Sequence, residues 1–161
     1  MPKINNRYVG IDPGGQGGIV FLKGEKITLH RMPDTDPELW ELIESIKRGP
    51  SIVRVAVERV SAFHGSSATS AFTFGFGYGK LIMGLTAAKV PFVNPLPQEW
   101  MKYMGIIQKK KKEKGKDKKE RLREIAQQMF PNCELWKETK ARQLELCDAL
   151  LLAEYARRSW K

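Results

Sequence analysis

The sequence predicts an α/β fold with a central mixed five-stranded sheet flanked by helices. Residues 8–32 contain three short apolar runs separated by turn residues. Two further runs with strand character, at 52–58 and 90–93, each follow a stretch with helical spacing, and the chain beyond 118 has helical periodicity. The order βββ, α, β, α, β followed by helices is typical of an α/β domain.

The first three runs predict an antiparallel meander. The run 8–12 ends at Asp12 and leads into a glycine-rich turn at 13–18. Extended structure resumes at 19–22, residues 23–26 are suited to a hairpin turn, and 27–32 form the third strand. The three strands should therefore be neighbours in the sheet.

The first helix and the fourth strand follow the meander. Asp36 is suited to be an N-cap, and Pro37 occupies the first helical position ahead of apolar residues at helical spacing. The β-branched run 52–58 is typical of a central strand, and it ends on the acidic residue Glu58.

The remaining elements alternate helical and irregular segments. In order they are a long helix or helix pair at 66–88, a strand at 90–93, a helical turn from 97, a lysine-rich loop at about 105–117, and helices at 118–130 and 139–158. The aromatic stretch 72–78 is interpreted as core or as a dimer interface. With 161 residues and no dividing linker, the chain 1–161 is expected to be a single domain.

Composition limits the environment of the protein. The two cysteines, Cys133 and Cys147, suggest reduced thiols in a cytosol-like compartment. The N-terminus has no signal-peptide pattern, and Lys89 interrupts the longest apolar stretch, so we expect a cytoplasmic protein with no membrane span.

The net charge indicates a polyanionic partner. The formal charge is +10, and residues 109–124 contain ten basic side chains against four acidic ones. Nucleic acid is the commonest partner of such a chain. This segment is therefore a candidate for contact with phosphates, although such a run can also be only a solvated loop.

Two carboxylates, Asp12 and Glu58, end two separate strands. Alternation along a strand places Gly10 on the face of Asp12, and Ala56 on the face of Glu58, so that small residues leave room beside each acid. If the strands are neighbours, both carboxylates lie together at one edge of the core.

Two further carboxylates lie on the last predicted helix. Glu145 and Asp148 are three residues apart and share a face, and Asp148 has apolar neighbours on nearly every side. An ionised Asp in such surroundings needs a cation, a proton or a hydrogen-bonding partner.

Together the four acids indicate a site for hard cations. Mg²⁺ and Mn²⁺ prefer oxygen ligands, and clustered acids repel one another unless a positive charge lies between them. Two such ions about 4 Å apart can promote phosphodiester hydrolysis without a His or Cys nucleophile. A metal-dependent nuclease is therefore predicted.

Three motifs give the sequence a family resemblance. GIDPG at 10–14, VERV at 57–60 and DALLLA at 148–153 occur in the order and approximate spacing of the motifs in RuvC-like Holliday junction resolvases. The sequence resembles that family over almost its whole length, and the short chain with its lysine-rich loop is similar to phage-type members. The resemblance implies a ribonuclease H-like fold.

The resemblance also implies residue roles. Asp12, Glu58 and Asp148 look like three of the four metal-binding acids of the family, and Glu145 occupies the place of the fourth. Lys119, or its neighbour Lys118, is similar to a lysine that lies near the scissile phosphate in the family.

The implied activity is the resolution of four-way DNA junctions by a homodimer. Its two active sites make paired nicks that leave 5′-phosphates, with Mg²⁺ or Mn²⁺ as the cofactor, two ions in each site. Phe63 and His64 lie in the loop from which family members insert an aromatic side chain at the junction centre. The predicted DNA-binding residues are Phe63, His64, Lys109, Lys110, Lys111, Lys112, Lys118 and Lys119.

Two alternatives remain open from the sequence. The same acids would serve a nuclease that acts on flaps, RNA–DNA hybrids or other branched DNA. A non-catalytic DNA-binding protein would explain the charge, but it gives no reason for Asp148 in an apolar helix. A sugar kinase or actin-like ATPase also has a glycine-rich hairpin after an apolar strand, but it needs more than twice this length.

Overall fold

The computed structural model describes residues 6–61, 66–106 and 115–160, which form one five-stranded sheet with helices packed on its two faces. The strands are β1 (Arg7–Asp12), β2 (Gly18–Lys23), β3 (Lys26–Arg31), β4 (Val53–Val57) and β5 (Phe92–Val93). The helices are α1 (Asp36–Ile46), α2 (Ala68–Ala87), α3 (Pro97–Tyr103), α4 (Gly115–Met129) and α5 (Lys140–Ser159), with a short 3-10 helix at Glu134–Lys137.

The sheet is mixed, with the strand order β3-β2-β1-β4-β5. β1, β2 and β3 form the predicted antiparallel meander, and Gly24 adopts a left-handed conformation (φ 60°) in the turn between β2 and β3. β4 pairs with β1 in parallel, and β5 pairs with β4 in parallel. The carboxyl ends of β1 and β4 therefore lie side by side.

Several element boundaries differ from the sequence prediction. The N-cap of α1 is Thr35 rather than Asp36, because the Thr35 hydroxyl accepts from the Glu38 amide while the Glu38 carboxylate accepts from the Thr35 amide. The segment 66–88 contains one continuous helix, and α4 begins at Gly115, inside the segment expected to be a loop.

Each face of the sheet has its own core. On one face, Val9 and Ile11 pack with Ile43 of α1 and with Leu81 of α2. On the opposite face, Val20, Leu22 and Ala56 pack against α3, α4 and α5. Alternation along the strands therefore decides which helices each side chain contacts.

Helix α5 lies directly on β1 at Gly10. A Cβ atom added at Gly10 would be 2.0 Å from the carbonyl oxygen of Ala149 and 2.2 Å from the amide nitrogen of Ala153. The predicted role of Gly10, to leave room beside Asp12, is therefore wrong. The missing side chain instead allows the backbone of α5 to approach the sheet.

Within the described ranges, none of the helices combines the length and apolarity needed to cross a membrane.

Candidate active site at the carboxyl edge of the central strands

Asp12 is the last residue of β1, and its side chain is on the α5 face of the sheet. Its Oδ1 accepts a hydrogen bond from the amide of Gly14, 3.1 Å away, in the turn that follows. Gly17 must be a glycine in this turn, because a Cβ there would be 2.3 Å from the carbonyl oxygen of Asp12. The glycine-rich turn thus folds back on Asp12 and fixes its carboxylate at the edge of the sheet.

Glu58 directly follows β4 and lies next to β1. Its amide donates to the carbonyl oxygen of Ile11 (3.0 Å), the residue before Asp12. Its Oε2 accepts a hydrogen bond from the indole Nε1 of the buried Trp100, at 2.8 Å. Glu58 is therefore held beside Asp12 by the backbone and is oriented by an indole from α3.

The third acid comes from α5. The carboxylate of Asp148 is 14% exposed and lies 4.0 Å from the ammonium of Lys119 on α4. Its Oδ1 also accepts from the Cys147 thiol at 3.4 Å, and burial raises the pKa of that thiol so that it keeps its proton. Asp148 is thus nearly buried, with one cation and one neutral donor beside it.

The charges of Asp12, Glu58 and Asp148 act on one another. Burial, followed by the charge of Asp148, raises the pKa of Asp12 to about 6. Burial also raises the pKa of Glu58 to about 7, with further contributions from Asp12 and Asp148 and an opposing one from the Trp100 hydrogen bond. The structure brings these three acids into one electrostatic cluster.

Two lysines of α4 lower the negative potential of this cluster. The charge of Lys119 opposes the rise in the pKa of Asp12, and the charge of Lys118 opposes the rise in the pKa of Glu58. Both predicted lysines therefore lie near the acids, although Lys119 is the one within ion-pair distance of a carboxylate.

Glu145 has a different neighbour. Its Oε2 lies 3.6 Å from the guanidinium of Arg31, the last residue of β3. The pKa shifts of Asp12 and Glu58 have no contribution from Glu145. The fourth predicted acid is thus one helical turn from Asp148 but stands beside an arginine.

The cluster has the chemistry of a cation site. Its donors are carboxylate oxygens, which Mg²⁺ and Mn²⁺ prefer as ligands. The pKa values of Asp12 and Glu58 are raised, so ionising these two carboxyl groups costs free energy. In residues 6–61, 66–106 and 115–160, no three His, Cys, Asp or Glu side chains are arranged to hold a metal ion as they stand. The residue types fit a hard cation, and binding would require the carboxylates to reorient.

Three residues beside the acids were not identified from the sequence as functional. Trp100 is buried in the core, and its indole also contacts Glu58. Asn94 accepts from the Tyr78 hydroxyl at 2.6 Å and donates to the carbonyl oxygen of Val57 at 2.7 Å, just before Glu58. Arg31 is the third. No local pattern indicates these contacts, because the partners are far apart in the chain.

Some predicted DNA-binding residues lie outside the described ranges. They are Phe63, His64, Lys109, Lys110, Lys111 and Lys112. Lys118 and Lys119, in contrast, lie on the first turns of α4.

Comparison with known proteins assigns the fold. The chain is similar to a solved structure of RuvC from Thermus thermophilus, with 18% sequence identity, a TM-score of 0.55, and coverage of 95% of this chain and 96% of that one. It is also similar to RuvC of the same organism in complex with a Holliday junction substrate, with 18% identity, a TM-score of 0.58, and coverage of 94% and 95%. No protein-family model matches the sequence, and no curated protein matches it.

The chain therefore has a RuvC-like, ribonuclease H-like α/β fold, and the fold class predicted from the sequence is confirmed. At this level of identity the similarity concerns the fold.

Proposed function

We propose that this protein is a metal-dependent DNA endonuclease that resolves four-way junctions. The observation that carries the proposal is the cluster of Asp12, Glu58 and Asp148, three acids from separate elements whose charges act on one another at one edge of the sheet. The similar fold of a RuvC bound to a Holliday junction supports this choice of substrate over flaps, hybrids or other branched DNA.

The proposed ligands of the divalent ions are Asp12, Glu58 and Asp148, with Glu145 as the fourth acid. When bound, two Mg²⁺ or Mn²⁺ ions would activate water and stabilise the leaving oxygen of the cleaved phosphodiester. Trp100 would keep Glu58 oriented through its indole hydrogen bond. Lys119, close to Asp148 and half-exposed, is suited to contact the phosphate that is cleaved.

The basic start of α4 and the segment before it are the proposed path of the DNA backbone. Lys118 and Lys119 act on the acid cluster, and the run 109–112 precedes them in the chain. Replacing the four lysines of that run with serine should make the dependence of log affinity on log salt shallower by about one unit for each phosphate that the variant no longer neutralises. An unchanged slope would show that the run is a solvated segment.

A homodimer through α2 completes the proposal. The exposed side of this helix carries Phe72, Phe76, Gly79 and Met83, which we call the α2 apolar face, and Phe72 and Phe76 stack with 6.0 Å between ring centroids. Phe72 is 72% exposed and Phe76 is 58% exposed, so these two rings lie outside the core, and a dimer interface is the alternative that we propose for them. An exposed contiguous apolar surface of this kind marks an interaction site.

A second copy of the chain suits this face for two reasons. Lys80 is the one charged residue of α2, and its ammonium lies 2.6 Å from Asp36 of the same chain, so two copies of the face would not repel each other. Nothing lies within 4 Å of a Cβ built at Gly79, which leaves space for a large side chain of the other copy. A two-fold axis through α2 would make the same patch serve both subunits.

The dimer is tested by sedimentation. The wild type should sediment as a dimer at micromolar concentration, and the double variant Phe72→Ser/Phe76→Ser should sediment as a monomer. Ile52→Ser, an exposed apolar residue next to β4, is the matched control and should remain dimeric. A monomeric wild type would exclude this interface.

The activity is tested on a synthetic mobile four-way junction, with flap, RNA–DNA hybrid and linear duplex as comparison substrates. Paired nicks are expected on the junction with Mg²⁺ or Mn²⁺, while Ca²⁺ should support binding with little hydrolysis. Asp148→Asn should lower cleavage by roughly a thousandfold or more and leave junction binding intact. Full activity in EDTA, or normal nicking by Asp148→Asn, would reject the proposed site.

A further inference from the structure

Arg31 lies at the same edge of the sheet as the acid cluster. In the strand register Asp12 pairs with Gly18, and Gly18 pairs with Arg31, so Asp12 and Arg31 belong to one row across β1, β2 and β3. Paired residues share a face, and at Gly18 the space of the missing side chain is occupied by the Cδ2 atom of Leu146 from α5, which lies 2.3 Å from the Cβ position of this glycine. With about 4.8 Å between neighbouring strands, the two backbones are about 10 Å apart.

Helix α5 crosses the same row and places an acid over each end. Asp148 acts on Asp12 and Glu58, whereas Glu145, one turn earlier, stands over Arg31. The edge thus has an acidic part at β1 and β4 and a cationic group at β3. A DNA strand that crossed the acidic part along this row, with divalent ions between its phosphates and the acids, would pass Arg31.

The Arg31–Glu145 ion pair contributes little to the stability of the fold. The two atoms are 3.6 Å apart, farther than the roughly 2.7–2.9 Å of a charge-assisted hydrogen bond. The Arg31 side chain is 59% exposed, and ion pairs with this exposure contribute about 0–1 kcal/mol to stability. The guanidinium therefore has donors to offer another oxygen ligand at little cost to the fold.

We propose that Arg31 is a substrate-binding residue that contacts a DNA phosphate beside the one cleaved, and that Glu145 orients it. This inference rests on the proposed function. Because the backbones of Asp12 and Arg31 are about 10 Å apart, the contacted phosphate would lie within a few nucleotides of the acid cluster. The planar guanidinium suits two phosphate oxygens better than an ammonium would.

Binding in Ca²⁺, without cleavage, tests the inference. Arg31→Gln should weaken binding of a four-way junction about tenfold and make the salt slope shallower by about one unit. Arg31→Lys should keep the slope, because the charge remains, and lose part of the affinity. The matched control is Lys26→Gln, which removes the same charge from the exposed start of β3 at the opposite edge of the sheet and should bind as the wild type does.

A double-mutant cycle tests the role of Glu145. Glu145→Gln should change junction affinity in the wild-type background and change it less when Arg31 is already glutamine. Equal effects in both backgrounds would overturn the orienting role. The melting temperatures of the single variants should stay close to that of the wild type.

The outcomes separate this inference from the proposed function. Binding by the wild type with equal affinities for Arg31→Gln and Lys26→Gln would overturn the role of Arg31 and leave the nuclease proposal standing. Junction binding that depends on Arg31 but leads to no cleavage in Mg²⁺ would support the contact of Arg31 with a DNA phosphate and reject the catalytic proposal. A wild-type protein that binds no DNA would overturn both.

Discussion

Helices α2 and α5 have the same length, 20 residues, but opposite environments. α5 carries seven charged residues and is nevertheless the most buried helix of the described chain, with nine buried positions. α2 carries one charged residue, Lys80, yet only Leu81 and Leu85 are buried. Apolar composition and burial therefore run in opposite directions in these two helices.

The difference shows what each helix contributes. α5 packs its backbone onto Gly10 and uses this close approach to bring Asp148 over the ends of β1 and β4. α2 covers the other face of the sheet with one side and presents the α2 apolar face on the other. A buried charged helix indicates a site within the chain, whereas an exposed apolar helix indicates a partner outside it.

The largest effect is expected where α5 touches the sheet. Gly10→Ala should lower the free energy of unfolding by about 3 kcal/mol or more, because its Cβ would overlap the backbone of Ala149 and Ala153. Gly77→Ala on α2, with nothing within 4 Å, should raise it by up to about 1 kcal/mol through better helix propensity. Urea denaturation measures both. Equal effects would mean that the contact between α5 and β1 is not this close.

A smaller effect on stability is expected when a change of pH alters the protonation of Asp12 and Glu58. The folded pKa values of Asp12 (about 6) and Glu58 (about 7) exceed their ordinary values of 3.8 and 4.5. The protonated forms favour the fold. The contribution of these two groups to stability is therefore greatest below about pH 4 and is lost as pH rises to about 7.

Thermal melting in EDTA measures this loss. At pH 8 Glu58→Gln should melt about 5 °C above the wild type, which corresponds to roughly 2 kcal/mol. The control Glu25→Gln, an exposed carboxylate in the hairpin turn, should melt with the wild type. Mg²⁺ should raise the melting temperature of the wild type more than that of Glu58→Gln. A wild-type melting temperature independent of pH from 4 to 8 would contradict the cluster.

The smallest effect on folding is expected at the α2 apolar face. Because Phe72 and Phe76 are exposed within the chain, replacing both with serine should change the stability of the dilute protein by less than about 0.5 kcal/mol. If the proposed dimer forms, the melting temperature of the wild type should rise with protein concentration, and that of the variant should not. A large loss of stability in dilute solution would show that these rings support the fold of the monomer.

Much of the fold followed from local patterns. The apolar runs of the meander and the β-branched run of β4 predicted strands that the structure contains, because alternation and β-branched side chains report directly on strand geometry. The choice between two neighbouring residues that could each be the N-cap of α1 was harder to predict. Thr35 and Asp36 are both good N-caps, and only the reciprocal bonds between Thr35 and Glu38 decide between them.

The sequence by itself determined which acids end β1 and β4 and that Glu145 and Asp148 share a face of α5, since these properties depend on periods of two and of three to four residues. Only the tertiary structure decided the neighbours of those acids. Trp100 reaches Glu58 across 42 residues, and Glu145 lies beside Arg31 rather than within the cluster. Such contacts depend on strand order and on the position of α5 over the sheet, which no local periodicity encodes.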